Sequence, residues 1–425
     1  MLFSRNGYTD SRVIEGARVI DPVEGIDAAL TVTVEDGMIT RLEPASARPG
    51  LVLAPAFVDP HVHLRTPGRE DEETIASGTA AAAAGGYGAI LAMPNTDPVV
   101  DSASVLASLA EKARAEALVP VGFMAAISKG QHGAELTEMG ELAEAGAAAF
   151  TDDGRPVVSP GLMRRALQYS PVAGRRVAVH CEEPTLTRGA QMHEGIVSAE
   201  LGFGGYPSVG ESVMVERDLS IAAYEQQPVH LMHLSASESV EALSRAQAAG
   251  AAATGEVTPH HLCLTDEAVR SLDANVKMNP PLRSAEDRAA LVAGLRDGTI
   301  CAVATDHAPH SREEKDVPFE EAPFGVTGLE TAFAALNTYL VGAGLVSLQT
   351  LLERMSAGPA RAFGLEPPRI AVGVPANLVL LDTEAAWRVT EDCFRSRSAN
   401  SWLLGQTLKG KVLMTVAAGR VVHEA

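Results

Sequence analysis

The chain has 425 residues and a formal net charge of −20, from 34 lysines and arginines against 54 aspartates and glutamates. Nucleic-acid binding requires a basic face for the phosphates, so this balance argues against nucleic acid as a partner. The four cysteines form no CxxC pair, which is typical of a reducing cytoplasm. No apolar run reaches the roughly 18 residues of a membrane span, and the N-terminus lacks the regions of a signal peptide. We therefore expect a cytoplasmic protein with no membrane partner.

Both ends of the chain have the pattern of short strands. The runs RVIEGARVIDP, ALTVTVEDG and MITRLEP alternate apolar and polar residues and end at Asp-Gly or Pro. The tail repeats this pattern in ANLVLLDT, KGKVLMTVAAG and RVVHEA. We expect residues 1–55 and 366–425 to form one small composite β-sandwich domain.

Residues 56–365 alternate apolar runs with helical segments such as SASVLASLAEKARAEA, ERDLSIAAYEQQ and SESVEALSRAQAAG. Eight runs are candidate strands: AFVDPHVHL, YGAILAMPN, VPVGFMAAIS, AGAAAFTDDG, RVAVHCE, PVHLMHLSA, ATGEVTPHH and CAVATDHAPH. This alternation predicts an α/β fold with parallel strands, and eight units predict a closed (β/α)8, or TIM-type, barrel. An open doubly wound sheet is the competing fold, but DPHVHLRTPGRE is not the Gly-rich turn it would carry.

Polar side chains follow these strands where each one ends, which is the active-site face of such a barrel. In DPHVHLR, residues 59–65, an extended backbone would point His61, His63 and Arg65 to the same side. Other strand ends carry Asp152, Asp153, His180, His233 and Asp306.

Imidazole and carboxylate groups are good zinc ligands, and zinc activates water for hydrolysis. A single histidine at a strand end usually has only a structural role, but this convergence favours a metal site. An aspartate beside the metal can move the proton of the attacking water. Asp59 orients a ligand or is purely structural. Further histidines are expected either near the ligands (His260, His261, His307) or in surface and packing positions (His132, His193, His230, His423).

Seven motifs resemble those of the dihydroorotases, in the bacterial class I type of the amidohydrolase superfamily. They are DPHVHLRTPG, AMPNTDP, FTDDG, AVHCE, HLMHLS, KMNPPLR and ATDHAPH. The resemblance spans essentially the whole chain, including the split β-sandwich. DPHVHLR alone indicates the superfamily, whereas NPPLR together with TDHAPH separates dihydroorotases from dihydropyrimidinases and allantoinases.

The resemblance implies two zinc ions per subunit and assigns roles to particular residues of the motifs. The metal ligands would be His61, His63, Asp153, His180, His233 and Asp306, with Asp306 also the catalytic acid and base. Substrate would contact His63, Arg65, Asn95, Asn279, His310, Phe324 and Gly325. Many relatives bridge their metals with a carboxylated lysine; here Asp153 would take that place, and Lys129 is the one nearby lysine that offers an alternative.

The implied reaction is the reversible conversion of N-carbamoyl-L-aspartate to L-dihydroorotate in pyrimidine biosynthesis, with Arg65 binding a substrate carboxylate. An allantoinase or dihydropyrimidinase is the alternative hydrolase, disfavoured by NPPLR and by the missing lysine. A scaffold subunit for aspartate carbamoyltransferase is disfavoured because the metal histidines are retained. Association with that enzyme alongside catalysis, and a homodimer, are left open. The charged segment 311–325 is expected to be a loop beside the active-site mouth, either a mobile lid or a plain solvated loop.

Overall fold

The computed structural model describes residues 1–5, 7 and 9–425. The strands in this part of the chain are β1 (Arg12–Asp21), β2 (Ile26–Glu35), β3 (Met38–Pro44), β4 (Leu51–Pro55), β5 (Phe57–Val62), β6 (Tyr87–Ala92), β7 (Val121–Phe123), β8 (Val177–Val179), β9 (Met192–His193), β10 (Gly205–Tyr206), β11 (Val229–Leu231), β12 (Ala253–Val257), β13 (Ala302–Val303), β14 (Leu378–Arg388), β15 (Thr407–Ala417) and β16 (Arg420–Glu424).

The α-helices are α1 (Ile75–Ala84), α2 (Ala103–Glu116), α3 (Met139–Glu144), α4 (Pro160–Ala173), α5 (Pro184–Thr187), α6 (Ile196–Leu201), α7 (Val209–Glu225), α8 (Ser237–Ala248), α9 (Pro259–Cys263), α10 (Ala285–Asp297), α11 (Arg312–Lys315), α12 (Ala332–Leu336), α13 (Leu348–Met355) and α14 (Ala357–Ala362). The three helical segments named from the sequence correspond to α2, α7 and α8. Across the described residues, no helix is both long and apolar enough to cross a membrane.

The two ends of the chain meet in one seven-stranded sheet with the order β16-β15-β14-β4-β1-β2-β3. The six terminal runs predicted as strands are therefore confirmed as β1–β3 and β14–β16. Antiparallel pairing of β4 with β14 joins the N-terminal and C-terminal strands. Register shifts within β1–β2, β2–β3, β14–β15 and β15–β16 bend the sheet, which packs an apolar cluster of its own that includes Ile39 and Leu378.

The middle of the chain contains two parallel sheets, β5-β6-β7 and β13-β12-β11-β8. Seven of the eight predicted strands are present, and the predicted α/β class is confirmed. The prediction of a strand in AGAAAFTDDG is wrong, because only Phe150 pairs there, with Ala125 on one side and Val177 on the other. This run is rich in alanine and glycine, which favour strands weakly.

Single parallel pairings link the outer strands of the two parallel sheets. Phe150 connects the β7 side to β8, and His307, just after β13, pairs with Val62 of β5. The extended run predicted through residue 65 is too long, because β5 ends at Val62. His63 lies just beyond the strand, with its N–H donating to His307 O at 2.8 Å, and Arg65 has a left-handed backbone with φ of 53°.

The largest hydrophobic cluster includes Phe57, the first residue of β5. Its ring centroid lies 5.7 Å from that of Tyr87 and 5.8 Å from that of Phe333. Phe57 is fully buried, so it ties the start of β5 to β6 and to α12. Packing at this end therefore supports the strand whose other end carries His61.

Replacing Phe57 with alanine should lower stability by about 3–5 kcal/mol, because a cavity would replace the stacked ring. The measurement is the midpoint of urea unfolding. Tyr169→Ala is the control, since that ring is 44% exposed, and we expect it to change the midpoint little. Equal midpoints for the two variants would contradict the proposed importance of this packing.

Candidate active site

The predicted metal residues lie where parallel strands end. His61 is the second-last residue of β5. His180, His233 and Asp306 follow the ends of β8, β11 and β13 by no more than three residues. Asp153 follows the isolated pairing of Phe150. The carboxyl ends of parallel strands meet on one face, so residues far apart in sequence become neighbours.

Asp153 lies at the centre of four histidines. Its Oδ1 lies 3.5 Å from His61 Nε2 and 3.6 Å from His233 Nε2. The same oxygen lies 3.8 Å from His180 Nδ1, and Oδ2 lies 3.6 Å from His63 Nε2. A single carboxylate therefore faces all four imidazoles, which is the arrangement that a bridging ligand requires.

Asp306 forms the second acidic part of the cluster. Its Oδ1 lies 3.1 Å from His63 Nε2 and 3.4 Å from His61 Nε2. The ligand atoms fall into two overlapping groups, each tight enough to hold one metal ion: His61, His63 and Asp306, and His61, Asp153 and His233. His180 Nδ1 lies 2.9 Å from His233 Nε2, which places its ring beside the second group.

The electrostatics of the cluster favour a bound cation. Burial most strongly lowers the pKa of His61, but the carboxylates of Asp153 and Asp306 together raise it well above its ordinary value. Burial likewise opposes ionisation of Asp153, yet His61 and His233 hold its pKa well below the usual range. The cluster therefore requires positive charge, which a metal ion would supply in place of a proton.

An unpaired buried nitrogen also fits a metal. His61 is completely buried, and its Nε2 has no hydrogen-bond partner among the described residues. Its Nδ1 donates to Glu256 Oε1 at 2.8 Å, so the proton stays on the outer nitrogen and Nε2 keeps a lone pair directed at the cluster. Burial raises the pKa of Glu256, but hydrogen bonds from His230 and His61 lower it to about 2.

Two acidic residues that orient the histidines were missed from the sequence. Glu256 accepts from His61 and also from His230 Nε2 at 2.9 Å, so His230 belongs to this network. Glu182 Oε2 lies 3.1 Å from His180 Nε2 and accepts from Asn279 Nδ2 at 3.0 Å. The available signals were a lone glutamate inside the apolar run ATGEV and the His-x-Glu spacing in AVHCE.

Every predicted metal or substrate residue except the completely buried His61 lines one cavity of about 380 Å³. Asn95 connects the two sets, since its Oδ1 lies 3.0 Å from His63 Nδ1 and its Nδ2 donates to Asp153 Oδ2 at 3.3 Å. A larger cavity of about 620 Å³ lies at the Phe57 end of β5. Its lining is mainly apolar, and it does not contain the histidine cluster.

The structure also places the alternatives considered from the sequence. Lys129 Nζ bonds to Glu135 Oε1 at 2.6 Å on the surface, away from the histidines. Asp152 accepts a hydrogen bond from the N–H of Ser128 at 3.0 Å and faces away from the histidines. Of the Asp-Asp pair, therefore, only Asp153 faces the cluster. Asp59 accepts from the N–H of His61 at 3.1 Å, which is a contact to the backbone of a predicted metal ligand.

Two of the other nearby histidines bond outside the cluster. His307 Nε2 lies 3.1 Å from Glu73 Oε2, and His261 Nε2 lies 3.0 Å from Pro280 O. His260 is buried, and its Nε2 has no hydrogen-bond partner within the described chain.

Three site residues have left-handed backbones. The φ angles are 53° for Arg65, 32° for His233 and 47° for Asp306. Such angles are unfavourable for residues other than glycine and occur where a site requires a particular side-chain direction. They follow the ends of β5, β11 and β13, so the backbone turns sharply where the functional groups begin.

Solved structures share this fold. An L-hydantoinase (dihydropyrimidinase) from Arthrobacter aurescens is 24% identical, with a TM-score of 0.86 over 97% of this chain and 96% of its own. A dihydropyrimidinase from Brevibacillus agri is 21% identical, with a TM-score of 0.81 over 98% of this chain and 95% of its own. At these identities the likeness defines the fold class, an α/β architecture.

The sequence comparisons define the family. A family model described as dihydro-orotase-like matches residues 50–239. The dihydroorotase of Citrifermentans bemidjiense is 44% identical over 97% of this chain and 99% of the relative. That of an Anaeromyxobacter species is 45% identical over 98% of both. The chain belongs to the dihydroorotase family of enzymes, which confirms the resemblance found in its motifs.

Glu256→Gln should weaken zinc binding by about 10–100-fold, because His61 would lose the carboxylate that fixes its proton on Nδ1. Competition with a chromogenic chelator measures the affinity of the metal-free protein. Glu216→Gln is the matched control, since that side chain is 53% exposed and, within the described part of the chain, pairs only with Arg245. Equal zinc affinities for both variants would rule out the orienting role of Glu256.

Proposed function

We propose that the chain catalyses the reversible conversion of N-carbamoyl-L-aspartate to L-dihydroorotate in pyrimidine biosynthesis. The observation that carries this proposal is one cavity lined by a histidine–aspartate cluster and by the cationic group of Arg65. The cluster suits hydrolysis of a cyclic amide, and Arg65 suits a substrate with a carboxylate. Membership of the dihydroorotase family supports the same reaction.

We assign two zinc ions to this cluster, held by His61, His63, Asp153, His180, His233 and Asp306. The unpaired Nε2 of His61 and the mixture of imidazole and carboxylate donors support zinc. When bound, zinc would polarise the ring carbonyl and lower the pKa of water. Asp153, which faces all four imidazoles, would be the ligand shared by the two ions.

Asp306 moves the proton in this mechanism. His61 and His63 hold the pKa of its carboxyl below the ordinary value although burial acts most strongly in the opposite direction, so it starts as a base. During hydrolysis it takes the proton of the attacking water and delivers it to the departing ring nitrogen. During ring closure it takes a proton from the carbamoyl nitrogen and delivers it to the departing oxygen.

Arg65, Asn95 and His310 bind the substrate carboxylate in this proposal, and Asn279, Phe324 and Gly325 complete the contacts. Arg65 Nη2 lies 3.2 Å from His310 Nε2, so these two groups are adjacent. A neutral hydantoin or dihydropyrimidine would leave the Arg65 charge without its substrate partner. This is the physical reason to prefer dihydroorotate over the substrates named for the structural neighbours.

The finer architecture also belongs to this proposal. Parallel pairings through Phe150 and His307 support closure of the two parallel sheets into an eight-unit barrel over residues 56–365. The shared terminal sheet supports a composite β-sandwich of residues 1–55 and 366–425. A cytoplasmic location stays a prediction from the cysteine pattern.

Asp306→Asn should reduce turnover of L-dihydroorotate by about 10²–10⁴-fold, because the amide cannot carry the proton. The assay follows loss of the dihydroorotate ring by ultraviolet absorbance with zinc-loaded protein. Asp392→Asn, on the exposed surface, should leave turnover unchanged. Hydantoin and allantoin should not react with the wild-type chain, and their efficient hydrolysis would contradict the substrate assignment.

We further propose that the chain associates with aspartate carbamoyltransferase while acting as an enzyme. This proposal rests on the resemblance to class I dihydroorotases. Sedimentation of a mixture of the two proteins should show a species faster than either alone, whereas two independent species would contradict it. The chain alone should be run as the control, where a mass near twice 44.4 kDa would indicate the homodimer.

A further inference from the structure

A buried glutamate lies behind the groups proposed to bind the substrate carboxylate. Glu72 is in the turn between β5 and α1, and its side chain is 1% exposed. Its Oε2 lies 3.0 Å from Arg65 Nε, and its Oε1 lies 3.2 Å from His310 Nδ1. One carboxylate thus contacts two groups that come from opposite ends of the barrel sequence.

These contacts determine which nitrogens of the Arg65 guanidinium are available to a substrate. Its Nε faces Glu72 and also donates to Pro309 O at 3.1 Å. Its terminal nitrogens are left toward the cavity, where Nη2 meets His310 Nε2 at 3.2 Å. Because the Arg65 backbone is in the unfavourable left-handed region, the side chain depends on such partners for its direction.

The same glutamate fixes the histidine. His310 Nδ1 lies between two carboxylates, since Glu314 Oε2 is 3.1 Å away, so Nδ1 carries a proton and donates it. Arg69 Nη2 pairs with Glu72 at 2.8 Å and also with Glu314. Two arginines therefore offset the two carboxylates that hold His310, and a third carboxylate, the solvent-exposed Asp71, lies 3.8 Å from Arg69 Nε.

We propose that Glu72 is a positioning residue that holds Arg65 and His310 in the geometry that binds the substrate carboxylate. This inference rests on the function proposed above and extends it to a residue outside the cavity lining. Glu72 does not touch substrate; it acts through the two groups that do. Its charge alone would disfavour an anionic substrate, so positioning and charge make opposite predictions for its removal.

Glu72→Gln tests this opposition. If positioning dominates, KM for L-dihydroorotate should rise about tenfold or more while kcat changes less than about threefold, because Arg65 and His310 lose a charged partner. If Glu72 acts only as a charge, the same variant should lower KM. An unchanged or lowered KM would overturn the proposal.

Glu72→Asp provides the second test, and it keeps the proposal falsifiable if the glutamine variant does not fold. The charge is retained but the carboxylate is shorter, so positioning predicts a raised KM and charge alone predicts no change. Glu70→Gln is the matched control in the same turn. The Glu70 side chain is 41% exposed and accepts from the N–H of Gly68 rather than from Arg65 or His310, so the KM of this variant should equal that of the wild type.

Two further measurements separate the possible failures. Zinc content should be the same in all variants, which excludes loss of the metal site as the cause of a raised KM. The wild-type chain is assayed first with L-dihydroorotate. Absence of wild-type turnover would contradict the proposed function, whereas wild-type turnover with unaltered KM in both Glu72 variants would contradict this inference alone.

Discussion

The attraction between Asp153 and four buried imidazoles is the interaction on which the rest of the site depends. One carboxylate lies within 3.8 Å of a ring nitrogen of each histidine. Burying so many polar groups is costly unless each charge has an opposite charge beside it, and the Asp153 carboxylate is a buried negative charge. The compensating positive charge must come from protons on the imidazoles or from a metal ion. The parallel strands matter because only their common carboxyl face brings residues 61 and 233 to the same aspartate.

A second feature repeats around this centre: a buried or half-buried glutamate holds the outer nitrogen of a site histidine. Glu256 does so for His61, Glu182 for His180 and Glu72 for His310. In each case the glutamate fixes the ring so that the opposite nitrogen faces the cluster or the cavity. The three glutamates come from different parts of the fold, which indicates that orienting these rings is a general requirement of the site. The proposed metal ligands and the proposed substrate-binding groups are thus held in place in the same way.

The sequence was sufficient to predict the terminal strands, the strand–helix alternation and the polar residues at strand ends, because those features follow from local periodicity. It did not predict that only Phe150 pairs in the fourth run, since pairing there depends on neighbours on both sides. The contact of His61 with Glu256 spans 195 residues and has no local signal beyond one charged residue in an apolar strand. The left-handed backbone of Arg65 was missed for a related reason. Alternation alone suggested a continuing strand, whereas the chain turns away immediately after Val62.

The proposed anionic substrates must approach a chain whose formal charge is −20. At physiological ionic strength charges are screened beyond about 8 Å, so groups at the mouth matter more than the total. Lys277 and Lys315 are buried behind Pro323 and Phe324, which line the cavity. Lys277 Nζ is 4.8 Å from the centre of the Phe324 ring, and Lys315 Nζ donates to Pro323 O at 2.8 Å. Both ammonium groups bond to backbone carbonyls, so no carboxylate bonded to them cancels their charge. Burial lowers the pKa of Lys315 to about 7, which makes its contribution strongest below that pH. The same contacts tie segment 311–325 to the cavity lining, so Lys315 adds positive charge behind it, in addition to the guanidinium of Arg65 that lines the cavity itself.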